Sequence, residues 1–448
     1  MALYLPPSLT SMVGSGMPET FELSELLKYV KSVVVKYQRP IVIPSELGVM
    51  VDSINIALDE LLSSGYTDPE ELTQHVPKEL FKYWNDVAAA REKYRKDVEY
   101  YFMGTTTEIA ADDAITMLTA WFDQVQIGVG RAIQIGSKGI DDDGSSGIPP
   151  AYFSYAVTEW EENGEKNAKG LPLANPKAMK VGTFPAFLES PVRYMKLIQD
   201  DKGKMMDMYS KVLNSNLRDK LLKMYFISAD LTGQSYDMGR MMAFSAGWLE
   251  NQSIWMHMSY KYYLQLLRGK LYDEFYSEMK GGGMIPFMDP KIYGRSPMEF
   301  SSFIASSAFK DPSVVGRGFA ARLSGSTAEL LSIWRLMFIG PNPYIMNDKG
   351  KVEMQLIPAI PFWLFDAKDT PGKKDEDGNF IVGFKLFSTI PVTYHNTKGT
   401  DLFDVSPVKY IVTMEDGSSN QVDGAIIPTK LAIMIRKLLG VATIDVYF

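Results

Sequence analysis

Gly340-Pro341-Asn342-Pro343 is where the chain changes its repeat. This run of turn formers cannot continue a helix, because proline lacks a backbone donor and drives the residue before it out of the helical region. On its N-terminal side apolar residues recur at helical spacing. In 22–35, Leu23, Leu26, Leu27, Val30 and Val34 form one stripe. Similar stripes run through 51–62, 78–101, 110–133, 191–197, 204–224, 253–271, 297–308 and 327–338. The spacing predicts about nine or ten helices between Phe21 and Arg335. Polar breakers at 140–147 and at Gly281-Gly282-Gly283 read as exposed connections. On the C-terminal side short runs alternate with period near two: Phe384-Lys385-Leu386-Phe387 with Val392-Thr393-Tyr394, then 408–413 and 441–447. Asp377-Gly378, Asn396-Thr397-Lys398-Gly399 and Glu415-Asp416-Gly417 mark turns between them. The expected class is mainly α with a β tail, divided into 1–340 and 341–448. The acidic tract 141–143 and Lys373-Lys374-Asp375-Glu376 read as solvated loops.

Composition removes several functions. A chain of 448 residues, 46% hydrophobic, can bury a large core and exceeds one ordinary domain. With 46 basic and 54 acidic residues mixed along it, the net charge of -8 offers no sustained positive field, so nucleic acid is a poor partner. There is no cysteine, which excludes disulfides and thiolate metal ligands. His75, His257 and His395 stand far apart, which argues against a histidine metal site. No stretch approaches the roughly 18 apolar residues that cross a bilayer, and 1–7 has no basic region leading into an apolar run. The expectation is a cytoplasmic protein with no membrane contact.

Two segments carry chemistry. The first is Gly247-Trp248-Leu249-Glu250-Asn251-Gln252-Ser253-Ile254-Trp255-Met256-His257. Ile254, Met258 and Tyr262 supply a buried stripe there. His257 is then either a core imidazole satisfied by a carbonyl or a donor to an anionic oxygen, where charge-assisted bonds are the stronger ones. Glu250, Asn251 and Gln252 either line the same cavity or cap the helix that follows. The second segment runs from Gly316-Arg317-Gly318 to Leu323-Ser324-Gly325-Ser326-Thr327-Ala328-Glu329, with a helix expected to start near Ser326 or Thr327. Glycine lets backbone approach a ligand, and helix N-terminal amides suit phosphate oxygens; a plain serine-capped helix has the same sequence.

Together these segments resemble the C-terminal half of the inverting glycoside phosphorylases of the cellobiose and β-glucan phosphorylase superfamily. That family carries a Glu-Asn-Gly-Gly-x-x-x-His run and, later, Arg-Gly-Gly and Thr-Gly-Ser-Ala-Gly-Trp runs. Here Glu250, Asn251 and His257 stay in register, with Gln252-Ser253 in place of the glycines. Arg317-Gly318 and Ser324-Gly325-Ser326 match the later runs, with Ser324 in place of threonine. The resemblance implies an (α/α)6-barrel-type helical domain, incomplete in this chain, followed by a β-sandwich or jelly-roll-like domain. It implies inverting phosphorolysis of a β-glucan or β-glucoside to an α-sugar 1-phosphate, with inorganic phosphate as co-substrate and no cofactor or metal. It assigns His257, Arg317, Ser324 and Gly325 to phosphate, and Trp248, Glu250, Asn251 and Glu299 to the sugar.

The departure concerns the acid. In the family it sits in an Asp-Trp-Asn-Asp turn shortly before a Gly-Glu-Ser segment, which Gly16-Met17-Pro18-Glu19-Thr20 resembles, and no such turn precedes it here. Trp84-Asn85-Asp86 mimics part of it, but at about 100° per residue Asp86 points away from the stripe containing Trp84. The catalytic acid is therefore unassigned. The expectation is a heteromer in which a second chain supplies the acid and the front of the barrel; the alternative is a non-catalytic carbohydrate-binding or scaffolding subunit.

Overall fold

The computed structural model describes residues 13–66, 75–138, 147–367 and 371–448. The tract 141–143, most of the 140–147 breaker and the N-terminal 1–7 lie outside them. Two compact units result: one covers the described residues up to Leu271 together with Ser277–Leu323, the other Tyr272–Tyr276 with Ser324–Phe448. The helix Ser324–Phe338 thus goes with the C-terminal unit, ahead of the boundary read near 340.

The first unit opens with α1 (Met17–Tyr37), α2 (Ser45–Ser63), α3 (Lys78–Asp97) and α4 (Ala111–Lys138). Pro18 and Glu19 favour the start of α1, since proline is tolerated in a first turn and an acid complements the positive helix end. Met17, Phe21, Ser24, Leu27 and Val34 form its buried line, meeting Val129, Ala132 and Ile135 of α4 at one end and Ala114 and Leu118 at the other. The buried line is rotated from the stripe read in the sequence, and Leu26 is 56% exposed. α3 departs further. Of its apolar residues only Leu80 is buried, against Leu58 and Leu61 of α2. Tyr83, Trp84 and Val87 instead line, with Leu23, Leu26 and Trp121, a cavity of about 510 Å³ that is open to solvent.

The expectation of interrupted helices from Phe21 to Arg335 left no place for strands, and several occur there. Tyr152–Lys166 and Pro172–Thr183 form a long antiparallel hairpin, buried at its base, with the first strand exposed from Ala156 outward and Met179 of the second still buried. Helices α5 (Glu189–Leu197) and α7 (Met256–Arg268) follow the expected stripes, whereas α6 (Lys202–Asn214) ends ten residues short of the stripe read to Met224, which finishes in the paired strands Arg218–Asp219 and Met224–Tyr225. The stretch 297–308, read as a helix, is a single 3-10 turn followed by the strand Ser301–Ile304. That strand is central in a three-stranded antiparallel sheet, between Ile254–Trp255 and Gly318–Ala321. Pairing on both edges outweighs a local repeat that fits a helix equally well. Gly281-Gly282-Gly283 is likewise more than an exposed link, because it closes the π-turn Met279–Gly283 and Gly283 is buried against the Tyr263 hydroxyl.

In the C-terminal unit the period-two segments are strands, as read. They join one mixed six-stranded sheet in the order Lys373–Lys374, Phe380–Leu386, Ile390–Asn396, Val441–Tyr447, Lys409–Met414 and Ser419–Asp423. Only Ile390–Asn396 and Val441–Tyr447 run parallel. Val392, Tyr394, Tyr410, Val412, Ile444 and Val446 share one core with Leu431, Ala432 and Ile435 of the helix Thr429–Arg436. The tail is thus one six-stranded sheet and two short ladders, Tyr344–Met346 with Val352–Met354 and Ala359–Ile360 with Leu402–Phe403, sharing a core with a helix, where the resemblance implied a sandwich or jelly roll.

Lys373, Lys374 and Glu376 are exposed, as expected, but Lys373–Lys374 pair as a strand and Asp375 is drawn in. Asp375 accepts from Asn379 at 2.9 Å and meets His395 Nδ1 at 2.7 Å, while Asp445 meets His395 Nε2 at 3.0 Å. Tertiary pairing captured one charge of this run, that of Asp375, which looks solvated when read in isolation. Hydrogen bonds to Asp445 and Asp375 outweigh burial and raise the His395 pKa. Asp375, bonded to Asn379 and His395, is lowered to about 2.

Candidate functional site

The segment 247–257 is a tight turn leading through a strand into α7. The Gly247 amide donates to the Asn251 carbonyl at 2.9 Å and the Asn251 amide to the Trp248 carbonyl at 3.1 Å. Gly247 takes φ 83°, and a Cβ there would collide with the Phe309 backbone, so no other residue fits. Leu249 and Gln252 are also left-handed, at φ 47° and 50°. The turn is tied from outside. The Gln252 amide donates to Ser228 Oγ at 3.0 Å, and Ser306 Oγ donates to the Gln252 carbonyl at 2.5 Å. Glu250, Asn251 and Gln252 are therefore turn residues and not caps of α7.

His257 is the second residue of α7 and is half-buried. Trp255, at the N-cap, does not cap the helix with its side chain; its indole donates to the Leu249 carbonyl at 2.7 Å. A positive helix end without a side-chain cap, with an imidazole in its first turn, is electrostatically suited to an oxyanion.

The sheet holds the end of the first segment and the start of the second, Gly318–Ala321, on either side of one strand. Ile254 pairs with Ile304, which pairs with Gly318 on its other side; Trp255, Phe303 and Phe319 form the next row. Strand spacing puts the outer backbones about 10 Å apart. Side chains close the gap, since Trp248 packs edge-on against Phe319 at 4.7 Å and Trp255 against Phe303 at 4.9 Å. Phe300, Ala320 and Arg322 are left-handed too. Of the twelve left-handed non-glycine residues in the described chain, five are in 249–252, 300 and 320–322. Backbone strain of this kind gathers where structure serves a ligand.

The remaining candidates divide. Both carboxylate oxygens of Glu250 are held by Arg240, Nε to Oε2 at 2.9 Å and Nη2 to Oε1, and the pairing raises the Arg240 pKa. Asn251 donates to the Phe244 carbonyl at 2.8 Å, while its buried Oδ1 has no hydrogen-bond partner, an acceptor suited to a hydroxyl. Arg317 is exposed, with its guanidinium against Gly294 and Nε 3.5 Å from the Ser313 carbonyl. Glu299 pairs with Arg295 at 2.7 Å in a pair more than a third exposed, a geometry that contributes little to stability. Ser324 and Gly325 are the first two residues of the helix Ser324–Phe338, so that helix starts before Ser326; they belong to the C-terminal unit, whereas His257 and Arg317 belong to the first. Trp84 lines the apolar cavity on α3, and Asp86 pairs with Lys82 at 2.7 Å.

Sequence reading missed the buried polar centre beside α7. Glu278 Oε2 meets Arg218 Nη1 at 2.7 Å, and Oε1 accepts from Tyr225 at 2.9 Å and Tyr209 at 3.1 Å. The Arg218 guanidinium stands 4.4 Å over the Tyr225 ring, and Tyr262 and Tyr263 complete the cluster. Burial pushes the phenols of Tyr225, Tyr262 and Tyr263 well above their usual range, so they remain neutral donors. The available signal was weak: one acid within the apolar run Phe275-Tyr276-Ser277-Glu278-Met279. Arg240 and Asp219 carried no local signal.

No family model matches the chain, and no curated protein matches it in sequence. Among the described residues no helix is long and apolar enough to cross a membrane.

Proposed function

We propose that this chain forms the phosphate- and sugar-binding side of an inverting glycoside phosphorylase, within an (α/α)6-type helical domain. Phosphate attacks the anomeric carbon of a β-linked glucosyl unit, the glycosidic C–O bond breaks, and a carboxylic acid protonates the departing oxygen. The products are an α-sugar 1-phosphate and a shortened glucan. His257 and the N-terminal end of α7 receive phosphate with Arg317, while Trp248, Glu250, Asn251 and Glu299 face the sugar. A partner chain contributes the acid and covers the apolar cavity lined by Trp84. This chemistry needs inorganic phosphate as co-substrate and no resident cofactor.

The observation that carries the reading is the three-stranded sheet. It holds Ile254–Trp255 and Gly318–Ala321 on either side of one strand, with left-handed residues at Leu249, Gln252, Ala320 and Arg322, which supports a jointly built polar site. The unpartnered Asn251 Oδ1 supports a hydroxyl-bearing ligand. A second reading, a carbohydrate-binding or scaffolding subunit without turnover, is favoured by the closed Arg240–Glu250 pair. The test is phosphate-dependent formation of sugar 1-phosphate from β-gluco-oligosaccharides by the complete assembly. Formation that depends on His257 supports the enzyme; glucan binding without any product supports the scaffold; neither binding nor product refutes both.

A further inference from the structure

Asp219 ends the short strand Arg218–Asp219, which pairs with Met224–Tyr225, and is 1% exposed. Its Oδ1 accepts from the amides of Leu221 and Leu222, both at 3.1 Å, closing the turn between the strands. Its Oδ2 points elsewhere and accepts from the Ser307 amide at 2.8 Å. A turn cap uses only the first oxygen; the second reaches a segment 88 residues away in sequence.

That segment grips the sugar-side turn. Ser306, fully buried, donates its amide to the Gly247 carbonyl at 3.1 Å and its hydroxyl to the Gln252 carbonyl at 2.5 Å. Both ends of the turn bearing Glu250 and Asn251 are therefore held by one residue, whose neighbour is anchored by Asp219. The turn contains the left-handed Leu249 and Gln252 and does not keep that shape without external ties. A carboxylate suits the task because it only accepts hydrogen bonds, and each bond to it is charge-assisted.

We propose that Asp219 is a positioning residue, which through Ser307 and Ser306 fixes the Gly247–Gln252 turn and so the placement of Glu250 and Asn251. Its kinetic consequence rests on the phosphorylase reading; its structural consequence does not. Asp219→Ser keeps a hydroxyl for the Leu221 and Leu222 amides but is too short for Ser307. Asp219→Asn, nearly isosteric, turns an amide nitrogen toward one set of N–H donors. In the full chain, hydrogen exchange of a 245–257 peptide accelerates about tenfold in both variants and in Ser306→Ala, with the strand Lys409–Met414 unchanged. Combining Asp219→Ser with Ser306→Ala adds little to either alone. In the assembly the glucan KM rises about tenfold, equivalent to about 1.4 kcal/mol, with the phosphate KM unmoved. Unchanged exchange at 245–257 in both Asp219 variants, or additive effects in the double variant, overturns the proposal. A wild-type assembly that makes no sugar phosphate refutes the enzyme reading, while the exchange result still decides the role of Asp219.

Discussion

Replacing Glu278 with leucine tests whether the first unit is organised around one buried ion pair. The Glu278 side chain is 3% exposed and that of Arg218 13%, so water cannot take over their interaction. Glu278→Leu leaves the guanidinium with only the Tyr225 ring and removes the acceptor of Tyr209 and Tyr225. Breaking a buried pair from one side costs about 3–5 kcal/mol, mostly the penalty of the charge left behind. Arg218→Met alone strands the carboxylate and falls in the same range. The double variant removes both charges, so it loses less than the two singles summed, by at least about 2 kcal/mol. The chain has two units, so a single unfolding midpoint is ambiguous. The assay is urea-dependent hydrogen exchange, with α7 reporting the first unit and Lys409–Met414 the second. Strict additivity, or a loss below about 1 kcal/mol in Glu278→Leu, would refute the argument, since either means the pair is solvated or uncoupled.

Three further outcomes are expected. Gly247→Ala forces a Cβ into the Phe309 backbone at positive φ and destabilises the first unit by about 1–3 kcal/mol, whereas Gly233→Ala in the same unit, at positive φ with open space around it, costs less; urea-dependent hydrogen exchange in α7 compares them. On the proposed role of His257 as a phosphate donor, His257→Ala removes a charge-assisted bond of about 1.5–3 kcal/mol and raises the phosphate KM about 10- to 150-fold while glucan affinity holds; steady-state kinetics on the assembly checks it, and equal constants exclude His257 from the site. The His395 clamp makes the C-terminal unit pH-dependent in a defined sense. The raised His395 pKa contributes stability that is complete below pH 6.5 and lost as pH rises through the folded value, and the lowered Asp375 pKa contributes stability present above pH 3.8 and lost as pH falls toward 2. His395→Gln flattens the decline above pH 6.5, as read from urea-dependent hydrogen exchange at Lys409–Met414 across pH; an unchanged profile removes the clamp as its cause.

What the sequence determined by itself is what local chemistry encodes. Helices α2 to α5 stand where apolar spacing predicts them, and Asp377-Gly378 makes its turn, with Gly378 at φ 83°. The strands after residue 380 follow their alternation. These signals come from residues a few positions apart, within reach of one helical turn or one pleat. Ser301–Ile304 illustrates the limit: its residues satisfy a helical stripe, yet two distant strands claim both of its edges. The hairpin at Tyr152–Thr183 had a usable signal in the β-formers Tyr152, Phe153, Tyr155 and Val157, but its register is set across the turn at Asn167 to Gly170.

The candidate site divides in the same way. Glu250, Asn251 and His257 stood out because polar residues in an apolar region are locally conspicuous. Their partners did not, because Arg240, Ser306 and Asp219 are ordinary residues until folding brings them within hydrogen-bond distance. Only the tertiary structure decided which oxygens of Glu250 are occupied, which acceptor of Asn251 is unpartnered, and that Asp375 is clamped and not solvated. The reason is physical: a local repeat sets which face of an element is apolar, whereas hydrogen bonds between distant segments depend on where those faces meet.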